Sequence, residues 1–479
     1  MSVVRLACLR LLYVLILSGM VVGAGLRAKA GETALDRYVH QPDSSYAWKV
    51  AREAEADGVK QWVVDLTSQT WRTLKDVDSP VWRHWLIVVK PEKVSSHKAL
   101  LFIVGGANGG EAPQSAEGRT LAIAKATGSV VAELKMVPNQ GLVFHNDGQS
   151  RKEDDLIAYT WDQYLKTGDE TWPARLPMVK SAVRAMDCVQ ELLASDQGGK
   201  HKIDKFVVAG GSKRGWTTWC TAAVDPRVEA AIPIVIDVLN VNASMKHHVA
   251  AYGKYSLAIN DYYQHNIMQR VHDPRLAKLY EIEDPYSYRD RLTLPKFIVN
   301  SAGDEFFLPD SSQFYYGDLK GEKYLRYVPN SNHSLKDTDA VESIIAFYQT
   351  VLSGTPRPKY SWTFERDGAI RVQSETKPKE VLLWQATNPG QRDFRLAVIG
   401  KAYKSESLVD QGTSTFVANL KAPPKGWTAS FVELTYDVGA SVPLKLTTAV
   451  RVLPDTLPFA DLDPAKAPLE EEPRRQGRN

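Results

Sequence analysis

Short apolar runs alternate with amphipathic segments over the first three quarters of the chain. Residues 99–104, 206–209, 231–236 and 296–300 are short, largely apolar runs, typical of strands buried on both faces. Segment 177–193 instead places apolar residues three and four positions apart, which predicts a helix. This alternation predicts a mostly parallel sheet with helices on both faces, preceded by an antiparallel pair at 59–66 and 81–89.

The pattern changes after a helix predicted at 344–352. Residues 354–358 (Gly-Thr-Pro-Arg-Pro) mark a boundary, and short β-rich runs separated by turn signals follow. They predict an immunoglobulin-like β-sandwich at 357–458, with strands at 360–365, 371–374, 380–386, 394–398, 412–417, 429–436 and 443–451. Residues 459–479, with their prolines and mixed charges, are predicted to be a disordered tail.

A long polar insertion separates the strands at 231–236 and 296–300. It is rich in His, Tyr, Asp and Lys and is longer than a plain crossover, so we predict a helical cap at about 238–290. Tyr262, Tyr263, His247 or His248 are expected to face the pocket below it. The two adjacent histidines cannot share one helix face, and nothing here has metal-ligand spacing. We therefore expect neither a metal nor a cofactor.

The first thirty residues differ from the rest of the chain. Arg5 and Arg10 flank the start of an apolar run that extends from Leu11 to Ala24. Small-residue cleavage sites end at Ala24 and at Ala30. This pattern predicts a signal peptide at 1–30, with an uncleaved anchor as the alternative. We expect a secreted or periplasmic protein with no stable membrane insertion after cleavage.

Composition limits the remaining classes of function. The chain has 479 residues, enough for more than one domain, and we assign 31–356 to the α/β domain that contains the cap. A formal net charge of +3 is too small to indicate a nucleic-acid partner. Cys188 and Cys220 fall on predicted helices, where a buried free thiol is the default, although the sequence leaves their pairing open.

The most informative stretch runs from Lys205 to Trp216. A buried strand leads through two glycines to Ser212, and a helix with an apolar face follows. A strand, a sharp turn with serine at its apex and a helix form the nucleophile elbow of α/β-hydrolases. The match is imperfect, because Arg214 stands where the motif usually has glycine and Gly215 comes one residue later.

Two later loops supply partners for this serine. Asp304 and His333 each follow a predicted strand, and the order Ser212, Asp304, His333 is that of the α/β-hydrolase catalytic triad. Asp237 also follows a strand at the same edge and is the alternative acid. We favour Asp304, because Gly303 beside it permits a tight approach and the strand that delivers His333 follows closely.

The oxyanion hole of this fold uses two backbone N–H groups. One comes from the residue after the serine, here Lys213, and the other from the loop after the third strand. That loop is the glycine-rich stretch 105–110, so Ala107 or Asn108 is the predicted second donor. The alternative is that these glycines only form a tight turn into the next helix.

Six segments resemble the PhoPQ-activated pathogenicity-related protein family: Leu66–Arg72, Pro80–Trp85, Asp155–Trp161, Leu176–Met186, Gly211–Trp216 and Val452–Leu457. The resemblance covers nearly the whole chain after the signal peptide and implies an exported, α/β-hydrolase-like protein. It implies little about the substrate. The elbow is also similar to that of glucuronoyl esterases, in which a basic residue after the serine assists the oxyanion; Lys213 stands there in this chain.

These features predict a secreted serine hydrolase that cleaves an ester or amide bond. Ser212 is the predicted nucleophile, His333 the general base and Asp304 the residue that orients it. The expected substrate is a small molecule, or a carbohydrate or peptide ester or amide. The alternative is a hydrolase-fold binding or signalling protein, linked to virulence or the cell surface, that recognises a partner without turnover.

Overall fold

The computed structural model describes residues 31–472. The predicted signal peptide lies outside these residues, as does the end of the chain from 473. No helix within 31–472 is long and apolar enough to cross a membrane.

The strands of the described residues are β1 (Ala47–Ala56), β2 (Val59–Thr70), β3 (Val81–Pro91), β4 (Lys98–Ile103), β5 (Val130–Leu134), β6 (Leu142–Val143), β7 (Ser150–Arg151), β8 (Lys205–Gly211), β9 (Val228–Ile234), β10 (Lys296–Ser301), β11 (Lys323–Val328), β12 (Tyr360–Phe364), β13 (Ile370–Ser374), β14 (Glu380–Asn388), β15 (Lys404–Ser407), β16 (Thr415–Ala418), β17 (Trp427–Tyr436), β18 (Leu444–Thr447) and β19 (Arg451–Leu453). The helices are α1 (Ala34–His40), α2 (Gly118–Thr127), α3 (Glu153–Thr167), α4 (Arg175–Ala194), α5 (Lys213–Val224), α6 (Val241–Tyr252), α7 (Asn260–Gln264), α8 (Pro274–Glu283), α9 (Ala340–Ser353) and α10 (Leu396–Ile399).

The central sheet begins β1-β2-β3-β5-β4-β8-β9-β10-β11. β1, β2 and β3 pair antiparallel, β3 pairs antiparallel with β5, and the six strands from β5 to β11 are parallel. One hydrophobic cluster packs α4 and α5 on one face, and a second packs α2 and α9 on the other. This is the predicted α/β-hydrolase architecture. Because the parallel strands end at one edge, the loops after β8, β10 and β11 meet there.

The segment between β9 and β10 is mostly helical. It contains α6, α7 and α8 with short 3₁₀ turns between them. Asp273 caps α8 by accepting the N–H of Arg275, and Pro274 occupies the first helical position, where no N–H is needed. α7 and α8 both pack against α3, which fixes the segment beside the carboxyl edge of the sheet.

The C-terminal strands do not form the separate immunoglobulin-like sandwich expected from their pattern. β18, β17, β14 and β15 continue the central sheet beyond β11, and only β12, β13 and β16 form a second, three-stranded sheet that packs against them. The junction is a backbone pairing between Leu325 and Thr447, reinforced by a buried ion pair between Arg326 of β11 and Glu433 of β17. The extension therefore shares both backbone pairing and core with the α/β part.

Two local predictions for this region are wrong. Residues 394–398 form no strand: the one-turn helix α10 begins at Leu396, whose N–H donates to the carbonyl of Gly303 at 3.0 Å. Residues 459–472 of the predicted disordered tail are docked: Glu470 donates its N–H to Tyr255 and its carboxylate binds Arg395 at 2.6 Å. Buried polar partners, which a local pattern does not reveal, hold both segments in place.

Candidate active site

Ser212 occupies the sharp turn between β8 and α5. Its backbone has φ 57° and ψ −128°, a conformation that residues other than glycine rarely adopt. The turn is held by its N–H, which donates to the carbonyl of Ile234 at 2.8 Å, and by its carbonyl, which accepts the N–H of Trp216 at 3.0 Å. Strain of this kind persists only where surrounding structure imposes it, and it is a feature of the nucleophile elbow.

Two glycines allow the elbow to close. A Cβ at Gly210 would lie 2.7 Å from the carbonyl oxygen of Arg214, and a Cβ at Gly215 would lie 2.8 Å from that of Gly210. The close approach of helix to strand thus falls at Gly215, one position later than in the usual motif. This explains why the position two residues after the serine can hold Arg214 instead of glycine.

Asp304 and His333 are in direct contact. The Nδ1 atom of His333 lies 2.8 Å from Oδ2 and 3.0 Å from Oδ1 of Asp304, so the ring donates to the carboxylate. The backbone N–H of His333 also donates to the carboxylate of Glu305 at 2.8 Å. This bond ties the loop after β11 that carries His333, the histidine loop, to the loop after β10 that carries Asp304 and Glu305, the acid loop. The Nε2 atom of His333 is buried and has no hydrogen-bond partner within residues 31–472, Ser212 included.

Asp237, the alternative acid, does not contact His333. Its two carboxylate oxygens each accept a tyrosine hydroxyl at 2.6 Å, from Tyr315 and Tyr327. Burial raises the pKa of Asp237 to about 7, and the nearby charge of Asp304 adds to this rise, although both hydroxyls oppose it. Asp304 is therefore the aspartate that binds His333, whereas Asp237 lies in a buried cluster with two tyrosines.

In the glycine-rich loop after β4, Asn108 is not available as the predicted oxyanion donor. The N–H of Asn108 donates to the carbonyl of Gln140, so it is already engaged. Asn108 lines a different cavity together with Trp85, and Ala107 is exposed and lies outside the Ser212 cavity. The predicted donor that does sit beside the serine is the N–H of Lys213, which as the first residue of α5 has no intrahelical acceptor.

An ionic network beside the serine escaped the sequence analysis. Lys213 Nζ lies 2.9 Å from Glu153 and 2.8 Å from Asp154, so its charge is neutralised rather than free. Arg214 forms a bidentate pair with Glu153, at 2.7 and 2.6 Å, and its guanidinium lies against Gly105. Burial opposes ionisation of Glu153, but Arg214 and Lys213 together lower its pKa to about 2. The only sequence signal was the acidic start of α3.

A cavity of about 60 Å³ opens beside Ser212. Its wall is largely apolar and comes from α3, α4, α5, the helical segment and the acid loop: Asp154, Trp161, Arg175, Ser212, Lys213, Trp216, Ile236, Val238, Val241, Met245, Ile259, Tyr262, Met268, Phe306 and Phe307. The predicted tyrosine Tyr262 is among them, whereas Tyr263, His247 and His248 are not. The rings of Phe306 and Phe307 are centred 4.4 and 6.0 Å from that of His333, so these two residues connect the cavity with the histidine.

Cys188 and Cys220 are both buried and free. No group of three or more His, Cys, Asp or Glu side chains in the described part of the chain is arranged to hold a metal ion.

Comparisons with known proteins found similar structures and one relative in sequence. Acetyl xylan esterase 1 from Thermoanaerobacterium sp. superposes with a TM-score of 0.45 at 14% identity, covering 67% of this chain and 92% of that one. Acylaminoacyl peptidase from Pyrococcus horikoshii gives 0.38 at 13% identity, covering 64% and 50%. In sequence, the chain is 38% identical over 466 residues to autocrine proliferation repressor protein A of Dictyostelium discoideum, covering 91% of this chain and 93% of the relative. The family model of the PhoPQ-activated pathogenicity-related protein matches residues 35–395, and the chain belongs to that family.

Proposed function

We propose that this protein is a serine hydrolase that cleaves an ester or amide bond through an acyl-enzyme. One observation carries the proposal: Ser212 lies on a strained elbow at the sheet edge where Asp304 holds His333 by Nδ1, and Nε2 has no partner within residues 31–472. A histidine oriented in this way can accept a proton at Nε2 while the carboxylate stabilises the resulting cation.

The reaction has two steps. Ser212 Oγ attacks the carbonyl carbon as His333 Nε2 takes the hydroxyl proton, and the carbonyl electron pair moves to oxygen. When the pair returns, the bond to the alcohol or amine breaks, and that leaving group receives the proton from His333. Water then attacks the acyl-enzyme, His333 takes its proton, the bond to Oγ breaks and Ser212 regains a proton as the acid leaves. A Ser212–His333 hydrogen bond is expected to form only with substrate, as is common for catalytic groups.

The oxyanion is proposed to accept a hydrogen bond from the N–H of Lys213. The free N–H groups at the start of α5 favour negative charge there, and one such donor contributes about 3 kcal/mol to the transition state. Ala107 stays a prediction for the second donor. The Lys213 ammonium, paired with Glu153 and Asp154, is assigned to shaping the site rather than to carrying the oxyanion charge.

The test is covalent labelling of the purified protein with a fluorophosphonate. We expect stoichiometric modification at Ser212, none in Ser212→Ala, and labelling slowed by orders of magnitude in His333→Ala, with Ser334→Ala, one residue further along, as the matched control. A folded protein that resists labelling would favour the non-catalytic alternative, a hydrolase-fold binding protein.

We also propose that the protein is exported, on the basis of the charged and apolar pattern in residues 1–30. The mature N-terminus is expected near Ala24 or Ala30. Sequencing the N-terminus of protein recovered outside the cytoplasm tests this, and finding Met1 there would refute cleavage.

A further inference from the structure

The cavity beside Ser212 has a composition and size that restrict what can enter it. Its charged members already have charged neighbours: Lys213 and Asp154 bind each other, and Arg175 is buried, donates to the carbonyl of Lys213 and lies 3.7 Å from Glu283. The remaining wall is aromatic or aliphatic. This wall favours an apolar group, because a polar one would lose its water and gain few partners.

Resting on the proposed serine hydrolase function, we infer that this cavity binds the acyl part of the substrate and selects short, unbranched acyl groups, from acetyl to butyryl. The size supports this limit. A cavity of about 60 Å³ is well below the roughly 150 Å³ of an apolar cavity that holds a benzene ring. Benzoyl and octanoyl groups exceed the space.

The position of His333 assigns the cavity to the acyl side. His333 must protonate the leaving group, so the leaving group lies next to its Nε2 atom. The cavity wall does not include His333, which is separated from it by Phe306 and Phe307, and the rest of the wall comes from α3, α4, α5 and the helical segment. Of the two parts of an ester bound at Ser212, the acyl group is the one directed into this space.

Two methionines of the helical segment limit the cavity. Met245 on α6 and Met268 in a 3₁₀ turn are both buried and face a wall that includes Trp161 and Trp216, whose rings are centred 6.0 Å apart. The methionines are flexible and can be shortened without removing a hydrogen bond, unlike Trp216, whose indole N–H donates to the carbonyl of Glu283. Replacing them by alanine should enlarge the cavity.

The experiment measures kcat/KM for 4-nitrophenyl acetate, butyrate, octanoate and benzoate. We expect octanoate and benzoate to fall at least tenfold below butyrate, since one misfitting methylene in an apolar pocket costs tenfold or more. Met245→Ala and Met268→Ala should raise the octanoate-to-butyrate ratio at least tenfold. Met186→Ala, an equal truncation at a buried site outside the cavity, should leave the ratio unchanged.

A second readout separates this inference from the proposed function. Ser212 is labelled with alkyl fluorophosphonates of two and eight carbons, which report chain length without turnover. Faster labelling by the short reagent, reversed or equalised in the methionine variants, supports the inference. Equal rates in the wild-type protein, or a strong dependence on alcohol length in alkyl acetates together with none on acyl length, would overturn it. No labelling by either reagent would mean that the hydrolase function itself fails.

Discussion

Two of the histidine–aspartate pairs in residues 31–472 have a buried aspartate and nearly the same contact distance. His333 Nδ1 lies 2.8 Å from Asp304 beside the Ser212 cavity, and His247 Nε2 lies 3.0 Å from Asp310. The surroundings differ. The His333 side chain is 18% exposed and its far nitrogen has no partner within the described residues, whereas His247 is 7% exposed and Asp310 also binds Arg392 at 2.5 Å.

The difference shows what would allow a histidine–aspartate contact to take the proposed catalytic role. Burial opposes ionisation of Asp310, but the charges of Arg392 and His247 more than offset it and hold its pKa below the ordinary value. That carboxylate neutralises a buried arginine. Asp304 has no arginine partner among the described residues, and it binds His333 through Nδ1, so that Nε2 keeps no partner there. The contact distance alone does not distinguish the two roles; the second partner of each group does.

The largest effect should come from Asp304→Asn. The amide cannot fix the tautomer of His333 or stabilise its cation, so turnover should fall by about ten-thousandfold, as in serine proteases. Steady-state kinetics on the best ester substrate, with circular dichroism to confirm folding, measure this. A loss smaller than tenfold would remove the distinction between the two pairs.

Asp310→Asn should act on stability instead. It leaves Arg392, which is 2% exposed, without its counter-charge, and breaking such a buried pair costs about 3–5 kcal/mol in the free energy of unfolding. Denaturant unfolding measures the loss, and turnover per folded molecule should stay within about threefold of the wild type. A collapse of turnover at unchanged stability would contradict the structural role.

Asp237→Asn sharpens the comparison with a carboxylate that has no histidine partner. The folded-state pKa of Asp237, about 7, lies above its ordinary value of 3.8, so its contribution to stability is fully present below pH 3.8 and is lost as pH rises through 7. The asparagine mimics the protonated acid and should remove this loss. The difference in unfolding free energy between the two proteins should grow by up to about 1.4 kcal/mol per pH unit between pH 4 and 7 and then level off.

Urea unfolding at pH 5, 6, 7 and 8 follows that difference. Parallel stability curves for the two proteins would show that Asp237 is already ionised in the folded state. Turnover should be spared, because Asp237 binds Tyr315 and Tyr327 rather than His333. A collapse of turnover would instead return the role of triad acid to Asp237.

The sequence predicted those parts of the site that local patterns encode. The apolar run before Gly210 predicts a buried strand, and the residues after it predict a turn and a helix, so Ser212 was found from its neighbours alone. Asp304 and His333 followed from chain order, because loops after parallel strands share one edge of the sheet. Their mutual contact needs no information beyond that topology.

The rest depends on partners distant in sequence. Nothing near Lys213 indicates that Glu153 and Asp154 neutralise it, and nothing near Asn108 indicates that Gln140 takes its N–H. The pattern of a strand also does not show which strand lies beside it. The sequence therefore predicts a separate sandwich, whereas in the structure β18 pairs with β11. Tertiary hydrogen bonds and ion pairs decide these features.

The smallest predicted effect concerns Glu305, which the sequence analysis did not single out. Its carboxylate accepts the His333 N–H at 2.8 Å, and its own carbonyl accepts the hydroxyl of Ser256 at 2.8 Å. Through this hydrogen bond Glu305 holds the backbone of the histidine loop. Losing this hydrogen bond in Glu305→Ala should weaken the positioning of His333 by about 1.4 kcal/mol, or roughly tenfold in kcat with little change in KM.

Glu305→Gln is the matched control, because its amide oxygen can still accept the N–H. It should recover most of kcat, whereas an effect that required the negative charge of Glu305 would leave the glutamine variant as slow as the alanine one. His247 offers the counterpart in the second pair: truncating it should lower stability and leave kcat per folded molecule intact. If Glu305→Ala lowers stability but not kcat, Asp304 alone positions His333 for turnover. The two histidine–aspartate pairs would then differ only in their side-chain partners.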